Sequence, residues 1–317
     1  MTAERFAEAR ARVSAHARHT PLLTSRALSE RTGFQVHLKA EIFQRTGSYK
    51  LRGPLNKLAL LTEDERARGV VCSSAGNHAQ GVALAAALYG IRAVVVMAEN
   101  ATPSKIEATR AYGAEVVLHG TIWDEANEKA QELVEREGLT YVHPFDDLDL
   151  IAGQGTVGLE IHEDLPDVDV VVVPIGGGGL ISGVTLALKS KNPNVRIVGV
   201  ESAGAPAMKS SVSAGELVTL DQVDCAIDGL KVKRVGHHTF EIVRRYVDDV
   251  VTLPDSDIFD AMLWTMHYCK LVVEGAAAAP VAALLHDRVP APAGAKVVCV
   301  LSGGNLNLSQ IAGLTWN

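Results

Sequence analysis

Residues 170–188 read VVVVPIGGGGLISGVTLAL, the most informative segment of the chain for its fold class. It begins with a continuous apolar run, which is typical of a strand buried on both faces of a parallel sheet. Four glycines, Gly176, Gly177, Gly178 and Gly179, follow the run and precede a helical segment that begins at Leu180. Backbone amides in a glycine turn at a helix N-terminus bind anions, above all phosphate. Because the stretch contains Pro174 and these glycines, it predicts a strand, an anion-binding turn and a helix and argues against a membrane span.

Valine-rich runs alternate with helical segments along the rest of the chain. We predict strands at 70–72, 93–97, 115–118, 170–173, 196–201 and 296–301, and helices at 78–89, 104–111, 123–137, 180–191 and 258–273. Strands that alternate with helices form parallel βαβ units, so the expected fold class is α/β, with parallel sheets covered by helices.

Composition narrows the classes of protein to consider. The chain has 317 residues, 47% hydrophobic and 21% charged, which is enough for two domains or one large one. Its net charge is −7, so it lacks the basic excess of a nucleic-acid-binding protein. The four cysteines are far apart, which argues against a disulfide framework or a zinc site. The N-terminus does not resemble a signal peptide, and we expect a cytoplasmic protein with no membrane partner.

Two further loops follow predicted strands, where open α/β sheets bind ligands. Residues 72–78 read CSSAGNH, and residues 301–305 read LSGGN. A competing signal is GQGTVG at 153–158, which fits the G-x-G-x-x-G pattern of dinucleotide-binding proteins. That pattern requires a strand directly before it, and three aspartates (Asp146, Asp147 and Asp149) precede it instead. A nicotinamide-dependent oxidoreductase is therefore a distant alternative.

The order of several motifs resembles one known family. Ser48-Tyr49-Lys50, AGNH at 75–78, the four glycines and SGGN at 302–305 occur in the order found in fold-type II pyridoxal-phosphate enzymes. IAGQGT at 151–156, AIDGL at 226–230 and VVEGA at 272–276 add to the resemblance, which is closest to the threonine/serine dehydratase (ammonia-lyase) and serine racemase group. It implies a two-domain architecture like that of the tryptophan synthase β-subunit. Residues 1–68 and 147–317 would form the large domain and residues 69–146 a small inserted one.

The resemblance also implies residues that hold pyridoxal 5′-phosphate. Lys50 would form the Schiff base, Tyr49 would pack on the ring, and Asn77 would bind the ring's 3-hydroxyl oxygen. Ser302 would face the ring nitrogen, and Gly229 would lie close to the ring. The backbone amides of Gly176, Gly177, Gly178, Gly179 and Leu180 would bind the phosphate.

The loop after the first strand of the inserted domain is the candidate substrate site. Its backbone amides at a helix start favour a carboxylate; the candidates are Ser73, Ser74, Ala75, Gly76, Asn77 and His78. Ala75 occupies the position where racemase-like members have a serine acid/base, so we expect poor racemisation. Glu201 is a doubtful metal ligand, because Ala207 stands where a second acid is expected. The use of a divalent or monovalent cation stays open.

The implied activity is removal of water and ammonia from a small β-hydroxy amino acid, threonine or serine, to give a 2-oxo acid. Lys50 would remove the α-proton. Alternatives are a dehydratase of a specialised catabolic substrate (hydroxyectoine-derived or 3-hydroxyaspartate), an amino-acid racemase and a non-catalytic ligand-binding protein. We expect a homodimer or higher homo-oligomer. Twelve residues follow Asn305, so we expect no C-terminal regulatory domain of the kind found in biosynthetic threonine dehydratases.

Overall fold

A computed structural model describes residues 1–306 of the chain. Its strands are β1 (Leu22–Thr24), β2 (Gln35–Ala40), β3 (Val70–Ser73), β4 (Ala93–Met97), β5 (Glu115–Leu118), β6 (Thr140–Tyr141), β7 (Val170–Pro174), β8 (Arg196–Ser202), β9 (Asp249–Leu253) and β10 (Lys296–Leu301). Its α-helices are α1 (Ala3–Ser14), α2 (Arg26–Thr32), α3 (Arg52–Ala59), α4 (Glu63–Arg68), α5 (Asn77–Tyr89), α6 (Pro103–Ala111), α7 (Trp123–Glu137), α8 (Leu148–Gln154), α9 (Thr156–Asp164), α10 (Gly179–Lys189), α11 (Ala207–Ala214), α12 (His237–Tyr246), α13 (Asp255–Trp264) and α14 (Gly275–Leu285). None of the helices formed by residues 1–306 combines the length and the hydropathy that a membrane span requires.

The strands form two sheets. The six-stranded sheet has the order β1-β2-β10-β7-β8-β9 and is parallel except for β1, which pairs antiparallel with β2 at one edge. The four-stranded sheet has the order β5-β4-β3-β6 and is parallel throughout. The predicted α/β class with helix-covered parallel sheets is confirmed. All four strands of the second sheet lie within the range predicted for the inserted domain, although the domain limits themselves stay a prediction.

Strand β7 lies inside the larger sheet and is buried on both faces. Val170 and Val172 contact the hydrophobic cluster beside α14, whereas Val171 and Val173 contact the cluster beside α10. Alternate residues of a strand point to opposite faces, so a run apolar at every position indicates two covered faces. The continuous valine run therefore places the glycine turn at the carboxyl edge of a rigid, fully packed strand.

The predicted helix over 258–273 is wrong at its C-terminal end. Helix α13 ends at Trp264, a π-helical turn follows over Thr265–Cys269, and Lys270 adopts a left-handed conformation with φ 59°. The sequence did not predict strand β2, because a lysine argues against a buried strand. In the structure, Lys39 of this strand is nevertheless fully buried. Its amine pairs with Glu160 at 2.9 Å, which compensates the buried charge.

Candidate active site

Lys50 lies where the two sheets approach each other. It belongs to a 3-10 turn, Tyr49–Leu51, which is attached to the end of β10 because the Tyr49 N–H donates to the Ser302 carbonyl at 3.0 Å. Helix α5 packs against the other side of the turn: a methyl group added at Gly81 would lie 2.4 Å from the Lys50 carbonyl oxygen. The turn is therefore held between the larger sheet and the first helix after β3.

The Lys50 amine is held in one direction by the loop after β6. Its Nζ donates to the Pro144 carbonyl oxygen at 2.7 Å and lies 5.4 Å from the centre of the Tyr49 ring. Burial lowers the pKa of Lys50 to about 8, although the negative charge of Glu274 acts in the opposite direction. A lysine with a lowered pKa is more often neutral near neutral pH and can act as nucleophile and base.

The four-glycine turn presents a row of backbone amides without partners. Strand β7 ends at Pro174, Gly178 adopts φ 92°, and α10 begins at Gly179. Among residues 1–306, the amides of Gly176 through Leu180 donate no hydrogen bond. Since buried N–H groups need an acceptor, this turn fits a phosphate, and pyridoxal phosphate supplies one.

Close packing around this turn excludes side chains. A methyl group at Gly176 would lie 2.4 Å from the Gly229 carbonyl oxygen, and one at Gly177 would overlap the Phe145 ring. A methyl group at Gly229 would lie 2.7 Å from the Ala276 side chain. Gly229 thus adjoins the glycine turn, and its predicted position close to the cofactor ring stays a prediction.

The turn is also fixed by residues that sequence reasoning missed. The Thr239 hydroxyl donates to the Gly177 carbonyl at 2.8 Å. Asp146 accepts the amides of His237 and His238 at 2.9 Å and so caps the helix that contains Thr239. Phe145 and Asp146 lie in the loop after β6. Because loops after parallel strands line ligand sites, their position was the only sequence signal for this role.

The two hydroxyl groups of the predicted substrate loop make different hydrogen bonds. The Ser73 hydroxyl donates to Asn127 Oδ1 at 2.8 Å, toward α7. The Ser74 hydroxyl accepts the Gly76 amide at 3.2 Å. In the described chain, the amides of Ala75, Asn77 and His78 donate no hydrogen bond. The loop therefore offers these backbone amides, together with the Ser74 O–H, to a carboxylate.

His78 is buried and neutral. Its Nε2 donates to the Val142 carbonyl oxygen at 2.9 Å, since a carbonyl can only accept. Burial, with a smaller contribution from the charge of Lys50, lowers the pKa of His78 to about 3. The imidazole thus provides no positive charge for a substrate carboxylate, and its role in binding stays a prediction.

Asn77 and Ser302 come from two different elements, one beside each sheet. Asn77 begins α5, and Ser302 directly follows β10 and is almost fully buried. The Asn77 Nδ2 donates to both carboxylate oxygens of Glu274, at 2.8 and 3.0 Å. Glu274 lies in the VVEGA motif, yet the sequence did not assign it a role.

Glu201, the doubtful metal ligand, accepts two backbone hydrogen bonds. Its carboxylate accepts the amides of Met208 at 2.8 Å and Lys209 at 2.9 Å, at the start of α11. Burial raises the pKa of Glu201 to about 7. Within residues 1–306, no group of three or more His, Cys, Asp or Glu side chains is placed to hold a metal ion. The metal assignment stays untested.

The G-x-G-x-x-G sequence spans the end of one helix and the start of the next. Helix α8 ends at Gln154 and α9 begins at Thr156, so no strand precedes the pattern. A methyl group at Gly153 would lie 2.5 Å from the Arg52 carbonyl oxygen, and one at Gly158 would lie 2.8 Å from that of Val184. These glycines allow close helix packing, which removes the basis of the nicotinamide alternative.

Comparison with known families agrees with this geometry. The family model described as "Pyridoxal-phosphate dependent enzyme" matches residues 13–303. The chain belongs to this family. The predicted resemblance to fold-type II pyridoxal-phosphate enzymes is confirmed, and the residues at the glycine turn fit the phosphate of that cofactor.

Relatives of this pyridoxal-phosphate dependent enzyme span nearly its whole length. An L-threonine ammonia-lyase of Thermotoga maritima is 49% identical over 98% of this chain and 77% of its own length. A catabolic L-threonine dehydratase of Escherichia coli K12 is 46% identical over 97% of this chain and 94% of its own. The structure of maize serine racemase superposes with a TM-score of 0.94 at 36% identity, covering 98% of this chain and 95% of that one.

Proposed function

We propose that this chain is a pyridoxal-phosphate-dependent ammonia-lyase that converts L-threonine to a 2-oxo acid and ammonia. The main support is the 49% identity to an L-threonine ammonia-lyase over 98% of the chain. The predicted class, a carbon–oxygen lyase, agrees with the names of both threonine-converting relatives. Serine, a hydroxyectoine-derived compound and 3-hydroxyaspartate are the other substrates to test.

Lys50 is the catalytic base in this proposal. When bound, pyridoxal phosphate supplies an electron-accepting ring that makes the α-proton of an attached amino acid acidic. The lowered pKa of Lys50 leaves part of its amine neutral near pH 8, which suits removal of that proton. The free Lys50 amine donates to the Pro144 carbonyl, so this carbonyl would hold the amine in one direction once the substrate has released it from the Schiff base.

The start of α5 binds the substrate carboxylate in this proposal. The amides of Ala75, Asn77 and His78 lack partners in the described chain, and they lie at the positive end of the helix dipole. A carboxylate there is oriented without a positively charged side chain. Asn77 and Ser302 would meet the ring oxygen and ring nitrogen of the cofactor, and Tyr49 would pack on the ring.

Racemisation is a second candidate, because the chain resembles maize serine racemase over nearly its full length. A racemase needs a proton donor on each face of the α-carbon. Ala75 has none, and the Gly76 amide holds the neighbouring Ser74 oxygen within its own loop, one position away from the place of the racemase serine. We therefore expect slow inversion, which chiral chromatography of incubated L-serine measures.

The direct test is ammonia release from L-threonine, L-serine and 3-hydroxyaspartate with added pyridoxal phosphate. The assay runs with and without magnesium, since Glu201 is the candidate metal ligand. We expect L-threonine to react fastest. No ammonia from any of these hydroxy amino acids would overturn the proposal.

Three further features are proposed on the same resemblance. Residues 69–146 form an inserted domain, the enzyme is a homodimer or higher homo-oligomer, and it is cytoplasmic. The four parallel strands of the second sheet support the first of these. Sedimentation of the purified enzyme tests the second.

A further inference from the structure

Glu274 lies against the end of β10, next to the turn that holds Lys50. Its backbone N–H donates to the Gly303 carbonyl at 3.0 Å. A methyl group at Gly303 would lie 2.5 Å from its Oε1, so a glycine is needed for this approach. Both of its carboxylate oxygens accept from Asn77 Nδ2. One carboxylate thus contacts both the strand end and the side chain expected to bind the cofactor ring.

The Asn77 amide has only one orientation that satisfies its neighbours. Asn305 Nδ2 donates to the Thr46 carbonyl at 2.8 Å and to Asn77 Oδ1 at 2.7 Å. Since a carbonyl only accepts, the Asn305 nitrogen must face Thr46, and the Asn77 oxygen must face Asn305. The Asn77 nitrogen then faces Glu274, whose two carboxylate oxygens carry no donor while the group is ionised.

We propose that Glu274 is a positioning residue for the ammonia-lyase reaction, in which its ionised carboxylate and Asn305 fix the Asn77 amide so that an N–H faces the cofactor's ring oxygen. The inference rests on the proposed function. A protonated Glu274 loses its negative charge, and one of its two acceptor oxygens becomes an O–H donor. The contact that orients the Asn77 amide is then weaker, and the N–H is held less firmly toward the ring oxygen.

Charged and titratable groups surround Glu274 on several elements. Burial raises the pKa of Glu274 to about 7, and the negative charge of Asp228 adds to this, whereas Lys105 and Lys50 lower it. Tyr49, whose own pKa is raised by burial and by the charge of Glu274, adjoins the same region. Lys105 on α6 and Asp228 form an ion pair at 2.9 Å. Either charge can be removed without altering Glu274 itself.

The ion pair allows a test that separates charge from structure. Asp228→Asn and Lys105→Met both break the same pair, so a purely structural effect moves the pH profile of kcat in the same direction. Through Glu274, Asp228→Asn should shift the acidic limb of that profile to lower pH and Lys105→Met to higher pH. Identical or absent shifts would overturn the proposal.

Direct substitution gives a second measurement. Glu274→Gln should lower kcat on L-threonine about tenfold to a hundredfold, because the charge-assisted hydrogen bond to Asn77 is lost, and should abolish the acidic limb near pH 7. Glu274→Asp should retain an acidic limb. Glu132→Gln on the surface of α7 is the matched carboxylate-to-amide control and should match the wild-type enzyme. A Glu274→Gln enzyme with wild-type rate and acidic limb would refute the role.

Cofactor affinity distinguishes failure of the inference from failure of the proposed function. If wild-type enzyme released no ammonia from L-threonine, the function would be wrong. The dissociation constant of pyridoxal phosphate, measured by fluorescence between pH 5.5 and 9, should still rise below about pH 7 in the wild type. The two charge variants should shift this midpoint in opposite directions. A pH-independent dissociation constant in all three proteins would contradict the inference regardless of substrate.

Discussion

Gly178→Ala should weaken cofactor binding while leaving the fold intact. Gly178 adopts φ 92° and ψ −4° at the start of α10. A methyl group there would lie 2.8 Å from Met208 Cε and 2.8 Å from Thr239 Cβ. Thr239 is branched and its hydroxyl holds the Gly177 carbonyl, so it cannot give way easily. The turn itself must therefore move.

The expected magnitudes follow from two separate costs. A non-glycine residue in the left-handed region costs roughly 1–2 kcal/mol, and this lowers the free energy of unfolding with or without cofactor. Displacement of the turn removes one or more amide hydrogen bonds to a charged phosphate, worth about 2 kcal/mol each. We therefore expect the dissociation constant of pyridoxal phosphate to rise about thirtyfold.

Gly215→Ala is the matched control for this prediction. Gly215 ends α11 with φ 78° and ψ 3°, and a methyl group there meets nothing within 4 Å. Equilibrium titration of the apoenzyme, followed by cofactor fluorescence, gives both dissociation constants, and urea unfolding gives both stabilities. Both variants should lose the stability that a left-handed backbone costs, Gly178→Ala should lose more because of its close contacts, and only Gly178→Ala should lose affinity. Equal affinities for the two variants would refute the assignment of this turn to the phosphate.

Three other substitutions test different parts of the molecule. Lys50→Ala should lower ammonia release from L-threonine at least a thousandfold without lowering the melting temperature of the apoenzyme, because its amine is already held in an unfavourable buried site. Arg52→Met should lower the free energy of unfolding by about 3–5 kcal/mol in urea titrations, since it leaves the buried carboxylates of Glu41 and Glu160 without this partner. Glu274→Gln should raise the stability of the apoenzyme at pH 8 and not at pH 4. The folded-state pKa of Glu274 lies above its ordinary value, so the wild type loses stability as pH rises from about 4.5 to about 7. The rise in the pKa of Glu274 corresponds to at most about 3 kcal/mol of lost stability.

Each of these predictions has an outcome that contradicts it. If Lys50→Ala released ammonia at the wild-type rate, Lys50 would not be the catalytic base. An Arg52→Met enzyme as stable as the wild type would mean that the buried ion pairs contribute no net stability. A Glu274→Gln apoenzyme that shows the same stability difference at pH 4 and pH 8 would mean that the carboxylate does not titrate between them.

The sequence determined the strand-to-loop geometry of the site because those signals are local. A run of valines, four glycines and a helix predict a buried strand with an anion-binding turn, and the structure has that turn between Pro174 and Gly179. The motif order also predicted the family. The same local reasoning failed at β2, where a buried lysine is compensated by a carboxylate on α9.

The contacts between side chains of the site depend on packing and could not be predicted from the sequence. Asn77 and Glu274 are 197 positions apart, and Asn77 and Asn305 are 228 apart. No periodicity or turn signal links positions at such separations, because their contact depends on how two sheets and the helices between them pack. Burial determined the charge states: it made His78 neutral and raised the pKa of Glu274. Both residues belong to motifs that are visible in the sequence, but the motifs do not reveal how deeply the residues are buried. Residue type and spacing define which groups are available, whereas their charge state depends on the surroundings that packing creates.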